Sequence, residues 1–145
     1  MFNFALQNND GSNVDVKSYL SSSRLLLVFF RGAWCNHCKK QLKELQSNLS
    51  KFDKLNIKII ALSCDNKLNS SLLKDFLKLD FPVLSDSEFK VINSFNLRTE
   101  YKGTPVAKPA IILFDQEGSE LYRYVGVDYD DRIATTELLN QLAQM

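Results

Sequence analysis

The sequence contains few of the residues that mark several common classes of protein. Its 145 residues include three cysteines, one histidine, one tryptophan, three prolines and five glycines. A secreted domain held together by disulfides uses an even and larger set of cysteines, so the composition disfavours that class. No internal repeat or low-complexity linker interrupts the chain. What remains is an ordinary globular composition.

The chain also lacks an excess of charge of one sign and any long apolar run. The net charge is +1 and the isoelectric point is about 7.7, which indicates neither a basic surface for nucleic acid nor an acidic tail. The longest apolar run, residues 25–30, is far too short to cross a membrane. Residues 1–4 lack the basic segment that opens a signal peptide. We therefore expect a cytoplasmic protein with no nucleic-acid or membrane partner.

Hydrophobic periodicity predicts one domain, residues 1–145, of alternating strands and helices. The main predicted strands are 25–30, 57–63, 81–84, 111–114 and 121–125, and the main predicted helices are 36–54, 72–77, 88–95 and 131–145. The order β–α–β–α–β–α–β–β–α predicts an α/β sandwich with a mixed sheet.

Shorter features surround these elements. Phe2, Phe4 and Leu6 alternate with less apolar residues as in a half-buried strand, and a turn is predicted at 9–11. Residues 14–20 fit a short strand followed by a helical turn. Asp86 is predicted to cap the helix at 88–95.

The most informative motif is a pair of cysteines three positions apart, just after the strand at 25–30. Cys35 and Cys38 would lie at the start of the next helix, where unpaired N–H groups and the helix dipole stabilise a thiolate. We predict an exposed attacking thiol of lowered pKa at Cys35 and a covered resolving thiol at Cys38, which together close into a redox-active disulfide. His37 is expected to add positive charge and to make that disulfide more oxidising than that of thioredoxin, at about −270 mV.

Other roles for the cysteine pair stay open from the residues alone. A zinc site needs four ligands, and only Cys64 and His37 could supply the others, so no metal is predicted. A structural disulfide is disfavoured in a reducing compartment. A redox-sensing or binding module without turnover is the alternative from another class. Cys64 is interpreted as a small residue at the sheet edge, and Trp34 as a residue at the rim of the site.

Residues 28–39 resemble the thioredoxin superfamily, in which an apolar strand leads into Trp-Cys-x-x-Cys, a lysine and a long helix. Pro109 resembles the cis-proline that faces the cysteines in that fold. The resemblance implies a thioredoxin fold, a three-layer α/β/α sandwich with a central mixed β-sheet, and a cis Lys108–Pro109 bond. Phe29 stands where thioredoxins carry a buried acid that accepts the proton of the second thiol, so Glu44 or a water would have to substitute.

Nearly the whole chain resembles the peroxiredoxin-like branch, the alkyl hydroperoxide reductase and thiol-specific antioxidant (AhpC/TSA) family. The matching motifs are Ile-Ile-Ala-Leu-Ser-Cys-Asp at 59–65, Phe-Pro-Val-Leu-Ser-Asp at 81–86 and Leu-Phe-Asp-Gln-Glu-Gly at 113–118. On this alignment Cys35 replaces the threonine that orients peroxide, and Cys38 falls at the peroxidatic cysteine. Arg31 replaces the motif's leading proline, and the family's later arginine falls near Pro109. Arg31 is considered as the source of the missing positive charge, with a solvent-facing side chain as the alternative.

The resemblance implies an oxidoreductase with an antioxidant role in cell redox homeostasis and no cofactor. We expect a thiol–disulfide oxidoreductase in which Cys35 attacks a substrate disulfide and Cys38 resolves the mixed disulfide. The alternative is a thiol-dependent peroxidase that reduces hydrogen peroxide or alkyl hydroperoxides, in which Cys38 or Cys35 becomes a sulfenic acid and its neighbour condenses with it. The expected partners are a protein or low-molecular-weight thiol or disulfide, an external thiol reductant and, in the alternative, a peroxide. The resemblance also implies that a homodimer can form.

Overall fold

The computed structural model describes residues 5–7 and 13–145, and a mixed sheet runs through its centre. The strands of this part of the chain are β1 (Ala5–Gln7), β2 (Asn13–Asp15), β3 (Arg24–Phe29), β4 (Ile57–Ser63), β5 (Val83–Ser85), β6 (Arg98–Tyr101), β7 (Thr104–Ala107), β8 (Ala110–Phe114) and β9 (Glu120–Val125). The helices are α1 (Val16–Tyr19), α2 (Asn36–Ser47), α3 (Leu49–Lys54), α4 (Lys67–Leu77), α5 (Lys90–Ser94) and α6 (Thr135–Leu142). The sheet has the strand order β2-β1-β5-β4-β3-β8-β9, and β6 and β7 pair as a separate hairpin.

The position of β3 in the sheet explains its unbroken apolar sequence. It pairs in parallel with β4, from Arg24 opposite Ile57 to Phe29 opposite Leu62, and antiparallel with β8. Because both faces of the sheet are covered, side chains on either side of β3 are buried. The buried central strand predicted at 25–30 is therefore confirmed.

Two apolar clusters fill the two faces of the sheet. Alternate residues of a strand point to opposite faces. Val28 and Phe30 belong to the cluster that contains Cys35 and Cys38 together with buried residues of α2, α4 and α6. Phe29 belongs to the second cluster, with residues of α5 and β8. Helices, sheet and helices therefore form three layers, which confirms the predicted α/β sandwich with a mixed sheet.

The long helix predicted at 36–54 is wrong as a single helix, because Asn48 divides it. Asn48 lies between α2 and α3 with a φ of −112°, outside the helical range. Its side-chain amide donates to the Glu44 carbonyl at 2.8 Å, and its backbone N–H donates to the Leu45 carbonyl at 3.2 Å. These short-range bonds compete with the regular helical ladder. The chain therefore bends before α3.

The last helix, α6, is shorter than the predicted 131–145, because Asp131 is used in the loop before it. The Asp131 carboxylate accepts hydrogen bonds from the Tyr124 hydroxyl at 2.6 Å and from the Val127 backbone N–H at 2.8 Å. These bonds hold the loop against the end of β9, so α6 begins only at Thr135. Arg132 consequently lies in a loop, free of helical geometry.

Side-chain caps set the beginnings of two other helices. Asp86 accepts hydrogen bonds from the backbone N–H groups of Val91 at 3.1 Å and Ile92 at 2.8 Å, so its carboxylate caps the first turn as predicted, although the N-cap position itself is Phe89. The helix it caps, α5, begins later than predicted because Phe89 has a positive φ of 61°. α4 begins earlier than the predicted 72–77, where the Asn66 side chain accepts from a backbone N–H at 2.8 Å.

The hairpin formed by β6 and β7 is absent from the predicted elements. Its strands have four residues each. β6 is polar and the apolar residues of β7 follow one another, so no clean alternation in the sequence marks them. The turn residues Lys102 and Gly103 both have positive φ, 52° and 81°, as a tight hairpin turn of the type I′ class requires. The hairpin places Tyr101 beside the cysteine-bearing loop, as described below.

At the amino-terminal end, the strand and helical turn predicted at 14–20 are confirmed by β2 and α1. Leu6 lies in β1, opposite Val14. Phe2, Phe4 and the turn predicted at 9–11 lie outside the described residues. Across residues 5–7 and 13–145, no helix combines the length and the apolar character needed to cross a bilayer.

Candidate redox site

Both cysteines lie at the carboxyl end of β3, where α2 begins. Cys35 is the N-cap residue of α2, with φ −89° and ψ 112°, and its backbone N–H donates to the Gly32 carbonyl at 3.1 Å. The Cys35 sulfur accepts a hydrogen bond from the backbone N–H of Cys38 at 3.3 Å. A sulfur thus takes the place of the usual capping oxygen. Both thiols are free in this structure, which therefore describes the reduced dithiol form of the site.

Neither thiol is open to solvent. Cys38 is fully buried, as expected of a covered thiol, but Cys35 is only 3% exposed, so the prediction of an exposed attacking thiol is wrong. The reason is that two guanidinium groups approach the Cys35 sulfur, with Arg31 Nη1 at 3.7 Å and Arg132 Nη2 at 3.8 Å. A substrate that reaches Cys35 must pass these side chains.

The two thiols have opposite acidities. The hydrogen bond from the Cys38 thiol is the main cause that lowers the pKa of Cys35 to about 5, with help from the Cys38 backbone N–H, Arg132 and Arg31 and against the effect of burial. The same bond raises the pKa of Cys38 far above its ordinary value, and burial raises it further while Arg132 opposes the rise. At neutral pH the pair therefore holds one negative charge, centred on Cys35, and one proton. The predicted low pKa of Cys35 is confirmed, although its causes include two arginines.

Arg132 is the functional residue that the sequence did not reveal. Its Nη2 donates to the Cys38 sulfur at 3.1 Å across 94 positions of sequence. Two further bonds fix its orientation: Nη1 donates to Gln41 Oε1 at 2.7 Å, and Nε donates to the Tyr129 carbonyl at 2.9 Å. No motif around residue 132 connects it with the cysteines, because the contact depends on how the loop before α6 turns. The Arg132 guanidinium therefore brings a positive charge and a hydrogen bond to Cys38 that the sequence did not predict.

Arg31 is buried, so the alternative of a solvent-facing side chain is wrong. Only 5% of the residue is exposed, and its guanidinium lies over the rings of Tyr101 at 4.0 Å, Trp34 at 4.7 Å and Tyr129 at 5.3 Å. Cation–π contacts of this kind are worth about 0.5–2 kcal/mol each, more where water is excluded. We call these three rings the aromatic cage of Arg31. The cage fixes the charge beside Cys35.

Trp34 lies at the rim of the site, as predicted. It is 50% exposed, and its ring stacks on Tyr101 with centroids 5.4 Å apart. The ring folds back over Gly32, where an added Cβ would lie 2.3 Å from the indole nitrogen. Only a residue without a side chain leaves this space, so Gly32 permits the cage to close.

His37 is exposed, and its ring lies 5.2 Å from that of Tyr129. The charges that lower the pKa of Cys35 come from Arg132 and Arg31. The influence of His37 on the disulfide stays a prediction.

Pro109 is buried in the wall of an open cavity of about 480 Å³ that Arg31, Tyr101 and Tyr129 also line. The expected cis Lys108–Pro109 bond is wrong: the described residues contain no cis peptide bond. The trans form is the intrinsically favoured one. On either side of this bond, the Lys108 N–H donates to the Leu97 carbonyl at 2.7 Å and the Pro109 carbonyl accepts from the Gly126 N–H at 2.8 Å.

Several residues considered for the site lie elsewhere. Phe29 points to the opposite face of the sheet from the cysteines. Glu44 is exposed, and its carboxylate accepts from the Thr135 hydroxyl at 3.4 Å. Cys64 is half-buried with its thiol 3.8 Å from the Pro105 carbonyl, and burial raises its pKa. In the described part of the chain, no group of three or more His, Cys, Asp or Glu side chains is gathered as metal ligands would be.

A dithiol at the start of the helix that follows the central strand of a mixed sheet defines a thioredoxin-like redox protein. The sequence model of the AhpC/TSA family matches residues 1–119. The chain therefore belongs to the AhpC/TSA family, as its motifs implied.

The chain is similar in sequence both to thiol-disulfide oxidoreductases and to peroxiredoxins. The thiol-disulfide oxidoreductase ResA of Bacillus cereus is 27% identical over 127 residues, which are 86% of this chain and 66% of that protein. A protein of Mycobacterium tuberculosis with a peroxiredoxin name is 28% identical over 92 residues, which are 63% of this chain and 58% of that protein. The chain thus spans about two thirds or less of the length of these relatives.

Among solved structures, peroxidoxin BcpB of Mycobacterium tuberculosis superimposes with a TM-score of 0.87 at 18% identity, covering 99% of this chain and 93% of that chain. This likeness concerns the fold. It confirms the thioredoxin fold that the resemblance implied.

Proposed function

We propose that this chain is a thiol–disulfide oxidoreductase that passes two electrons between its Cys35–Cys38 dithiol and an external disulfide. The observation that carries the proposal is the opposite acidity of the two neighbouring thiols. Cys35 is a thiolate at neutral pH, and Cys38 beside it keeps its proton. The thiolate is the form that attacks disulfides. The names of the relatives support a redox role of this kind.

In the first step the Cys35 thiolate attacks one sulfur of the substrate disulfide. A bond forms between Cys35 and that sulfur, the substrate S–S bond breaks, and the other half of the substrate leaves as a thiolate. Cys35 is then neutral. The hydrogen bond and the negative charge that hold the Cys38 proton in the reduced site are lost, so the pKa of Cys38 falls.

In the second step Cys38 gives up its proton to the departing thiolate or to water and attacks the Cys35 sulfur. The bond between Cys35 and the substrate breaks, and the second half of the substrate leaves. Arg132, with Nη2 at 3.1 Å from the Cys38 sulfur, stabilises the thiolate that must form. It lowers the energy of that thiolate electrostatically. An external thiol then reduces the Cys35–Cys38 disulfide.

Single serine variants test the roles of the two thiols. Reduced wild-type protein should reduce a small disulfide, Cys35→Ser should be inactive, and Cys38→Ser should accumulate a mixed disulfide on Cys35 that mass spectrometry detects. Cys64→Ser is the matched control and should keep full activity, because Cys64 lies outside the hydrogen bonds of the pair. Retained disulfide reduction by Cys35→Ser would contradict the assignment of the attacking thiol.

A second candidate function is a thiol-dependent peroxidase, and the contact of Arg132 with Cys38 favours it. Cys38 aligns with the peroxidatic cysteine of the family, and a guanidinium can polarise a bound peroxide. Attack by either thiolate would cleave the O–O bond, leaving a sulfenic acid and an alcohol or water, and the neighbouring thiol would condense with it and release water. If Cys35→Ser consumes hydrogen peroxide and Cys38→Ser does not, the peroxidase with Cys38 as the attacking thiol is correct. If wild type reduces disulfides and leaves peroxide untouched, the oxidoreductase stands.

Cytoplasmic location and an antioxidant role complete the proposal. The location rests on the small, odd number of cysteines, and the antioxidant role rests on the family. A fractionated lysate probed for this chain tests the location, and sensitivity of a deletion strain to oxidants tests the role.

A further inference from the structure

Arg31 is a buried cation that has no carboxylate partner within residues 5–7 and 13–145. It is 5% exposed, and its Nη2 has no hydrogen-bond partner among the described residues. Its contacts are the aromatic cage and the Cys35 sulfur at 3.7 Å from Nη1. A buried charge is costly unless it is paired with an opposite charge. In the reduced site, the anion that Arg31 faces is the Cys35 thiolate.

That anion disappears whenever Cys35 bonds to another sulfur. In a mixed disulfide, and in the Cys35–Cys38 disulfide, Cys35 is neutral while both arginines keep their charge. Arg132 still has two acceptors, Gln41 Oε1 at 2.7 Å and the Tyr129 carbonyl at 2.9 Å. Arg31 Nη2 has none. A substrate that carries its own negative group would compensate the charge that the reaction leaves behind.

A cavity next to the guanidinium can receive such a substrate. Arg31 lies in the wall of the open cavity of about 480 Å³, which falls within the usual volume range of small-molecule sites. Lys108 in the same wall adds a second positive charge. Glu100 and Asp128 also line the cavity, but neither forms a hydrogen bond or an ion pair with Arg31 within residues 13–145. Arg31, whose buried Nη2 is the orphan donor, therefore lines a space that is open to solvent.

We propose that this cavity binds the carboxylate of a low-molecular-weight disulfide and so directs its sulfurs to Cys35; this inference rests on the proposed function. The carboxylate accepts from the Arg31 guanidinium, whose Nη2 has no partner among the described residues. Nη1 of this guanidinium lies 3.7 Å from the Cys35 sulfur. A carboxylate bound to the same guanidinium therefore lies close to the sulfur that attacks the substrate. The substrate class is a disulfide with a carboxylate a short aliphatic spacer away from sulfur.

Three small disulfides of similar size and different charge test the inference. Dithiodipropionate is anionic, hydroxyethyl disulfide is neutral and cystamine is cationic. The rate of thiol loss from reduced protein is measured with each and divided by the rate of the same disulfide with mercaptoethanol, which removes differences in intrinsic reactivity. We expect the normalised rate for dithiodipropionate to exceed that for hydroxyethyl disulfide by about tenfold or more, as a charge-assisted hydrogen bond provides. Cystamine should be the slowest.

Variants of Arg31 test whether this residue causes the preference for the anionic disulfide. Arg31→Gln should bring the ratio of anionic to neutral rates close to one, and Arg31→Lys, which keeps the charge but loses the planar fork, should retain part of it. Both are compared as ratios, so a change in the reactivity of Cys35 cancels. Lys51→Gln removes the same charge from an exposed site on α3 and should leave the ratio unchanged. Equal normalised rates in wild type, an unchanged ratio in both Arg31 variants or a lost ratio in Lys51→Gln would overturn the inference.

Binding without reaction separates this site from the proposed function. Suberate has the chain of dithiodipropionate with methylenes in place of the two sulfurs. Its binding to the oxidised protein is followed by the fluorescence of Trp34, the one tryptophan of the chain and a member of the cage. Binding in wild type that Arg31→Lys weakens, with no reaction of any disulfide, would support the anion site and refute the oxidoreductase. Absence of suberate binding together with equal disulfide rates would refute the anion site alone.

Discussion

Removing Arg132 tests the proposed resolving step most directly. Its Nη2 lies 3.1 Å from the Cys38 sulfur, and Gln41 and the Tyr129 carbonyl hold the guanidinium in place. Arg132→Met keeps the length of the side chain and removes its charge and its donors. The change is made in a Cys35→Ser, Cys64→Ser background, where Cys38 is the one remaining thiol and titrates without its coupled partner.

The expected magnitude follows from the contact. A hydrogen bond to a charged group contributes about 1.5–3 kcal/mol, and a pair of charges about 4 Å apart near a protein surface contributes about 4 kcal/mol before screening. Arg132 is partly exposed, so water reduces the second figure toward the first. Since about 1.4 kcal/mol is tenfold in an equilibrium constant, Arg132→Met should lower the acid dissociation constant of Cys38 by roughly 10- to 100-fold. The pKa of Cys38 rises accordingly.

The assay is the rate of alkylation of Cys38 by iodoacetamide as a function of pH, because only the thiolate reacts. Arg132→Met should move the profile to higher pH. Arg123→Met, made in the same background, removes an equal charge from β9, where Arg123 pairs with Glu120 at 2.8 Å, and should leave the profile in place. If Arg132→Met and Arg123→Met give the same profile, Arg132 does not stabilise the Cys38 thiolate, and the resolving step must depend on another group.

Three further outcomes are expected. In a Cys64→Ser protein, alkylation of Cys35 should rise through a midpoint near pH 5 and level off below neutrality, because the lowered pKa makes Cys35 a thiolate above that pH; a midpoint near that of a free thiol contradicts the assignment. Gln41→Leu removes the acceptor that orients Arg132, so the mixed disulfide with substrate should persist severalfold longer than in wild type in a quenched-flow experiment. Asp86→Ala leaves two backbone donors at the start of α5 without an acceptor and should reduce the free energy of unfolding in urea by about 1–3 kcal/mol, whereas Asp75→Ala on the exposed side of α4 should change it little.

The parts of the fold that the sequence predicts are those determined by near neighbours in the chain. β3 is a continuous apolar run because both of its faces are covered, and Cys35 follows it at the cap of α2. Asp86 and its helix are also local, since the donors it accepts lie five and six positions away. Contacts between residues only a few positions apart can be predicted from the sequence alone.

Features that depend on distant parts of the chain were not predictable. Arg132 reaches Cys38 across 94 positions, and its loop exists because Asp131 bonds Tyr124 and Val127 and delays α6. The burial of Arg31 requires Tyr101 from the unpredicted β6–β7 hairpin and Tyr129 from the same late loop. The wrong expectation of an exposed Cys35, and the solvent-facing alternative for Arg31, both result from missing these tertiary contacts.

The two arginines change the physical basis of the expected redox potential. A stronger interaction with the thiolate than with the disulfide stabilises the reduced form and makes the disulfide more oxidising. The sequence assigned this effect to His37, yet the cations in contact with the Cys35 sulfur are Arg31 and Arg132. Both interactions are lost on oxidation, because the charge on sulfur disappears while the guanidinium groups remain. A potential less reducing than about −270 mV therefore stays the prediction, and the cations that contribute to it are two arginines that tertiary structure brings to one sulfur.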